Sequence, residues 1–347
     1  MLNKINSGEH YENKIFDIIT LESEYSNIFF QECTIEHINL NECHFKNVIF
    51  NKCIIGRITS KNSDIDFISI TETTIGIVEL SDTLFNNSTI QKSKAKTIKI
   101  EKSKNTELFI FESIIQNIDI GNSKINLSCN ICEIPLIQIY NSTTSDLQLN
   151  ECQLQHLDMD YLTKHLCINK CSGISIKIKN SSPDTIKLFS SKFKILETES
   201  VNVDSWQCLD CIIDQTVITK SKMRFSEFNA FTNNQLNVFK TDLCSSSLNG
   251  NLNEVKFENS NLEHCKFANT SIQKLEIHYS SLIASIFLDV DISQLYSTNS
   301  KFQHSKYNNK LYEKMSTYTS EKIFKLNNNS RRADEWRSKN KVGPREI

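Results

Sequence analysis

Hydrophobic side chains recur at every fifth position over most of the chain. From Phe30 the series runs through Ile35, Leu40, Phe45, Phe50 and Ile55, misses at Ser60, and resumes from Ile65. Of the 20 positions spaced by five between residues 30 and 125, 17 are Ile, Leu or Phe. Three slips of one residue break the register: between Ile125 and Cys129, around residues 160–165, and at Asn249–Asn251. The last block runs from Leu252 and Phe257 to Phe302 and Tyr307.

The position two before each centre alternates between small and large, as in Cys33, Ile38, Cys43, Val48, Cys53, Ile58, Ser63 and Ile68. In extended backbone, residues two apart share a face. Each unit therefore sends two side chains inward and turns a corner with the other three. One unit cannot enclose its own apolar side, but stacked coils can, with ladders between coils satisfying the peptide groups. The period thus predicts a β-solenoid, with small residues where the backbone turns tightly around a narrow interior. Trp206 occupies one of these small inward positions, which predicts a local distortion or an outward-turned indole. Asn-rich pairs such as Asn86–Asn87 and Asn233–Asn234 read as outward turn residues.

Stretches such as Cys43-His44-Phe45-Lys46-Asn47 and Cys265-Lys266-Phe267-Ala268-Asn269 resemble the pentapeptide-repeat family, with a large apolar centre and a small residue two before it. The chain departs from that family in its scarcity of Ala at the small position and its frequent Ile at the centre. The resemblance implies an all-β fold, a right-handed quadrilateral β-helix with four units per coil over residues 28–307. That makes about 14 coils and, at roughly 4.8 Å per stacked strand, a rod of about 65–70 Å.

The two ends read differently. Residues 1–27 lack a clean register and are expected to form an N-terminal cap over the open end of the rod. Residues 308–347 read as a basic α-helical C-terminal cap or tail, with short helices over 308–326 and 330–341 and a stop at Gly343-Pro344. The formal net charge is −2, but residues 301–347 hold 12 Lys+Arg against 5 Asp+Glu, leaving a net −9 on residues 1–300. The tail therefore offers candidate partner-binding residues in Lys322, Lys325, Arg331, Arg332, Trp336 and Arg337. An anionic partner suits them: a membrane surface, a nucleic acid or an acidic protein. A homodimer through one of the caps is a further expectation.

The remaining chemistry dissolves into the repeat. Cys129-x2-Cys132 and Cys208-x2-Cys211 have zinc-knuckle spacing, but a centre and the next small position are three apart, so two inward Cys produce it without metal. The eight His are dispersed, and no Walker loop or dinucleotide glycine fingerprint is present. No catalytic residue, metal ligand or cofactor is expected, and no small-molecule substrate. No run approaches 18 apolar residues. The first residues show no secretory pattern, so the 12 Cys read as free thiols of a reducing cytoplasm. The expected function is a non-enzymatic scaffold that binds a protein partner through solenoid faces or the basic tail. Two alternatives accompany it. The family resemblance implies a DNA mimic that binds a DNA-processing enzyme such as gyrase, as some bacterial members do. The other is a β-helix that binds or degrades polysaccharide.

Overall fold

The computed structural model describes residues 5–21, 23–104, 106–161, 164–307 and the short strand Phe324–Lys325. Its strands form one continuous parallel sheet of 29 members. Each strand pairs with the one a full lap later. Ile35 faces Ile55, Ile55 faces Ile75, Ile75 faces Ala95 and Ala95 faces Ile115. A lap is thus 20 residues, or four five-residue units, and the described chain makes about 15 turns. At about 4.8 Å per lap the rod is roughly 70 Å long. The centres that set the sequence period, such as Phe45, Ile65 and Ile120, are buried along a single continuous core.

The lap shortens to 19 residues where the sequence slips. Ile110 faces Cys129, Asp146 faces His165 and Leu248 faces Phe267. A fourth short lap lies where the sequence shows no register. Ile15 faces Thr34 and Phe16 faces Ile35, so residues from His10 onward already run as laddered strands. The end of the rod expected to be an irregular cap is a coil, filled by Phe16, Ile19 and Leu21 and by Tyr11 stacked on Phe30 at 5.4 Å.

The corners explain the ten-residue alternation of small and large. Two of the corners in each lap turn through a left-handed residue with φ near +50°, as at Glu32, Glu42, Lys52, Asn62, Glu72 and Asp82, and the first laps add a third at Asn27, Asn47, Phe67 and Asn87. The residue after each of the first six is the small one: Cys33, Cys43, Cys53, Ser63, Thr73 and Thr83. Its hydroxyl or thiol turns inward and replaces a ladder bond that the corner breaks. The amides of Thr73, Ser93 and Ser103 donate to the hydroxyls of Ser93, Ser113 and Ser123 one lap above, each at 3.1 Å. Large residues such as Ile38, Ile58 and Ile98 occupy the middles of the strands.

The last laps change style. From Glu227 onward each lap holds one long strand, Glu227–Phe239, Ser247–Glu258, Lys266–His278 and Ile286–Thr298. Extra left-handed corners appear at Phe225, Ser245, His264, Ala284 and His304. Small residues again follow them: Ser226, Ser246, Cys265, Ser285 and Ser305, all buried.

Two inward positions depart from the sequence reading. Trp206 is neither expelled nor a source of distortion. It is fully buried, and its strand Ser205–Leu209 keeps an unshifted 20-residue register with Thr185–Phe189. Its ring stacks with that of Phe228 on the following lap, with centroids 6.4 Å apart. Asn233 is not a turn residue. It stands at a unit centre, buried, and donates to Thr216 Oγ1 at 2.7 Å. Phe231, two positions earlier, takes the space its small column usually leaves empty. Gly250 stands opposite Phe231 on the next lap with φ +145°, where an added Cβ would lie 2.0 Å from the Phe231 carbonyl oxygen.

At the far end, Phe267, Phe287 and Tyr307 stack face to face at 4.6 and 4.9 Å. Beyond them Phe324–Lys325 adds one more rung, parallel to Lys306–Tyr307. At these two residues the expected helix over 308–326 is replaced by a strand. The rest of that helix, and the whole of the one over 330–341, lie outside the described residues.

Candidate functional site

Of the six residues expected to bind a partner through the tail, Lys322, Arg331, Arg332, Trp336 and Arg337 lie outside the described residues. Lys325 is placed by its backbone alone, paired with Tyr307. The surface available for description is therefore the rod.

Ten of the twelve cysteines are buried, and Cys167 and Cys244 are half-buried. Cys33, Cys53, Cys132, Cys152, Cys171 and Cys211 all lie in one corner column, shared with Thr73, Ser93, Ser113 and Ser191. Each thiol lies 3.2–3.4 Å from the carbonyl oxygen two residues before it. Ser93 and Ser113 make the same bond at 2.7 Å. The thiol is a weaker, larger substitute for the hydroxyl at the same backbone task. Burial pushes the Cys53 thiol up to about 11 and that of Cys265 up to about 12, the opposite of what a reactive nucleophile needs. Among the described residues no three His, Cys, Asp or Glu side chains gather as metal ligands.

The histidines stay apart on the surface. His37 meets Thr59, His156 meets Ser175 and His165 meets Thr185, all cross-lap contacts of 2.8–2.9 Å. His44 faces Asp64 at 3.2 Å with both half exposed. Among the contacts of the described residues, His37, His156 and His165 each meet a hydroxyl without a carboxylate and His44 meets a carboxylate without a hydroxyl, so none completes a triad.

Charge on the faces is mixed lap by lap. Arg57 pairs with Glu79 at 2.8 Å, Lys177 with Glu197 at 3.4 Å and Lys220 with Glu199 at 3.0 Å. These pairs are half exposed and each adds at most about 1 kcal/mol. Their effect on recognition is larger, because the ladder brings opposite signs together and breaks up what would be acidic stripes.

The feature that the sequence reading missed is a set of bulky apolar residues placed where they are disfavoured twice over. Phe67, Ile131, Tyr161, Phe225 and Tyr279 sit at left-handed corners with φ of +49° to +70°. All are exposed, Phe225 by 62% and Ile131 by 52%. Left-handed backbone strains any side chain but Gly and, to a lesser degree, Asn or Asp, most of all a β-branched one. Neighbours in the same columns are Asn or Ser, as at Asn47, Asn87, Asn141, Ser245 and Asn259, except at Ile131, which stands between Glu112 and Glu151. A period-five reading could not find these residues, because the left-handed corner only becomes visible once laps are aligned.

No protein-family profile matches the sequence, and no curated protein matches it. Among solved structures, a trypsin-treated form of QnrB1, a plasmid-mediated fluoroquinolone resistance protein, aligns at 11% identity over 55% of this chain and 100% of its own, with a TM-score of 0.20. HetL, a pentapeptide-repeat protein involved in heterocyst differentiation regulation in the cyanobacterium Nostoc, aligns at 7% identity over 86% of this chain and 85% of its own, with a TM-score of 0.18. At these scores neither likeness carries an argument. The four-unit lap itself is what ties this chain to the pentapeptide-repeat architecture. It is a β-solenoid whose laps have the length and the small-then-large inward pattern that the resemblance implies.

Proposed function

We propose that the protein is a non-enzymatic scaffold that binds a protein partner through the faces and corners of the solenoid, with the basic tail as a second contact. The observation that carries this reading is the set of exposed bulky residues at strained corners. Strain of about 1–3 kcal/mol per site persists where the residue serves something other than folding, and exposed aromatic and aliphatic anchors are what protein interfaces use. Free thiols that serve the backbone suit a protein of the reducing cytoplasm. The test is affinity capture from host lysate with the full chain beside a chain ending at Tyr307. A partner retained by both places binding on the rod, and one retained by the full chain alone places it on the tail. Turnover of a defined small substrate, lost on a point substitution, would sink the scaffold reading.

The DNA-mimic alternative finds one support, the net −9 of residues 1–300. A mimic needs charge arrayed like a phosphate backbone, and the cross-lap Lys–Glu and Arg–Glu pairs cut against that array. Gyrase among the captured partners would favour the mimic over the general scaffold.

A further inference from the structure

One corner of the solenoid alternates in charge. Followed lap by lap, its left-handed residues are Glu32, Lys52, Glu72, Lys92, Glu112, Ile131, Glu151 and Lys170. The ladder pairings beside them hold these residues in one column. Neighbours in the column are opposite in sign, so that Lys92 Nζ lies 4.0 Å from Glu112 and Lys170 Nζ 3.0 Å from Glu151. Between Glu112 and Glu151 the alternation calls for a lysine, and Ile131 stands there instead.

Ile131 is β-branched, left-handed at φ +54° and half exposed. Beside it Ile114 is also exposed, by 42%. Glu133 follows Ile114 in the adjoining column and makes no ion pair among those found in the described residues. These two isoleucines and three carboxylates line an open concavity of about 270 Å³. Glu112 and Glu151 already pair outward with Lys92 and Lys170, so Glu133 is the lining carboxylate without an ion pair among the described residues, and the column lacks its cation at position 131.

We propose that this groove is a docking site for a partner polypeptide that presents a Lys or Arg beside an aliphatic or aromatic side chain. The proposal rests on the scaffold reading and names the partner's chemistry. The incoming cation takes the missing rung between Glu112 and Glu151, and its apolar neighbour covers Ile114 and Ile131. Charge complementarity selects this occupant. Unpaired Glu133, with Glu112 and Glu151 facing the gap, favours a cation there over an anionic lipid, a nucleic acid or the same groove on a second copy of the chain.

The substitution Ile131→Lys tests the idea, because it supplies the missing rung from within and removes a β-branched residue from left-handed backbone. The full chain and this variant are titrated against a short synthetic peptide alternating lysine with leucine, with a glutamate–leucine peptide as control. The expected result is binding of the lysine peptide by the wild type, weakened by salt, and at least tenfold weaker binding by Ile131→Lys, whose thermal midpoint does not fall. Equal affinity of both proteins for the lysine peptide, or equal affinity of the wild type for both peptides, overturns the proposal. Affinity capture with both proteins separates the two levels of the argument. A partner captured equally by wild type and Ile131→Lys leaves the scaffold standing and removes the groove. Peptide discrimination without any captured partner leaves the groove and removes the scaffold.

Discussion

The amide of Thr73 donates to the hydroxyl of Ser93, one lap above it, at 3.1 Å. That hydroxyl donates in turn to the carbonyl of Gln91 at 2.7 Å. Each small residue after a left-handed corner thus serves as a splice in the backbone ladder. Ser93→Ala leaves the Thr73 amide buried without a partner. We expect a loss of about 1–3 kcal/mol in urea unfolding with an unchanged m-value. Ser93→Cys, which copies Cys53 and Cys132 in the same column, costs less than Ser93→Ala.

Tyr279 interrupts a corner column between Asn259 and Asn299, all three left-handed. It is 58% exposed, so little packing is lost with its ring. Tyr279→Asn relieves the backbone and is expected to stabilise the fold by roughly 0.5–1 kcal/mol, read as a higher thermal midpoint. A lower midpoint shows that the ring packs more tightly against the rod than its exposure indicates.

Gly250 stands where Phe231 crowds the lap below. Gly250→Ala forces a Cβ onto the Phe231 carbonyl oxygen in a region of φ that only glycine occupies readily. The expected cost is about 3 kcal/mol or more. Gly8 provides the contrast, with φ +78° but open space around it. Gly8→Ala should cost only about 1 kcal/mol, and chemical denaturation of the two variants separates steric conflict from backbone preference.

Buried thiols make the fold sensitive to alkali. Burial raises Cys53 to about 11 and Cys265 to about 12, whereas the unfolded chain releases those protons near the ordinary thiol value of about 8.5–9. The folded state therefore holds more protons than the unfolded state above pH ~9. The stability these two sites share is intact below that point and is lost as pH rises toward 11–12. Each costs about 1.4 kcal/mol per pH unit within that window. Denaturation midpoints measured from pH 8 to 11 should fall, and the double substitution of Cys53 and Cys265 by Ser should flatten the fall.

Much of the fold is legible in the sequence because the core obeys one local rule. Phe45, Ile65 and Ile120 are inward at the expected places, and the slips at Cys129 and Asn249–Asn251 shorten a lap by one residue as read. The fourth short lap, near Leu21, escaped because too few hydrophobic centres precede it to set a phase. Trp206 and Asn233 were misread for a related reason. Whether an inward position tolerates an indole or an amide depends on the residues 20 before and after it, and a five-residue rule does not weigh them. The left-handed corners were hidden for a physical reason too. Glu, Lys and Asn occupy them without any distinctive signal, and only alignment by laps shows Ile131 out of place among Glu112, Glu151 and their lysines. The reading of the tail as helix fails at Phe324–Lys325, where an open sheet edge offers backbone partners that local propensity does not count.

The 20-residue lap also bears on how the chain finds its structure. Parallel sheets are slow to fold as a rule, since their strands must be gathered from distant parts of the sequence. Here every strand's partners lie 18 to 20 residues away at any point along the rod. Set against 347 residues, that separation corresponds to a relative contact order of about 0.06, at the level of small helical bundles. An all-β protein of this kind faces only a succession of short searches, each templated by the edge just completed, and lengthening the rod adds more searches without making any one of them longer.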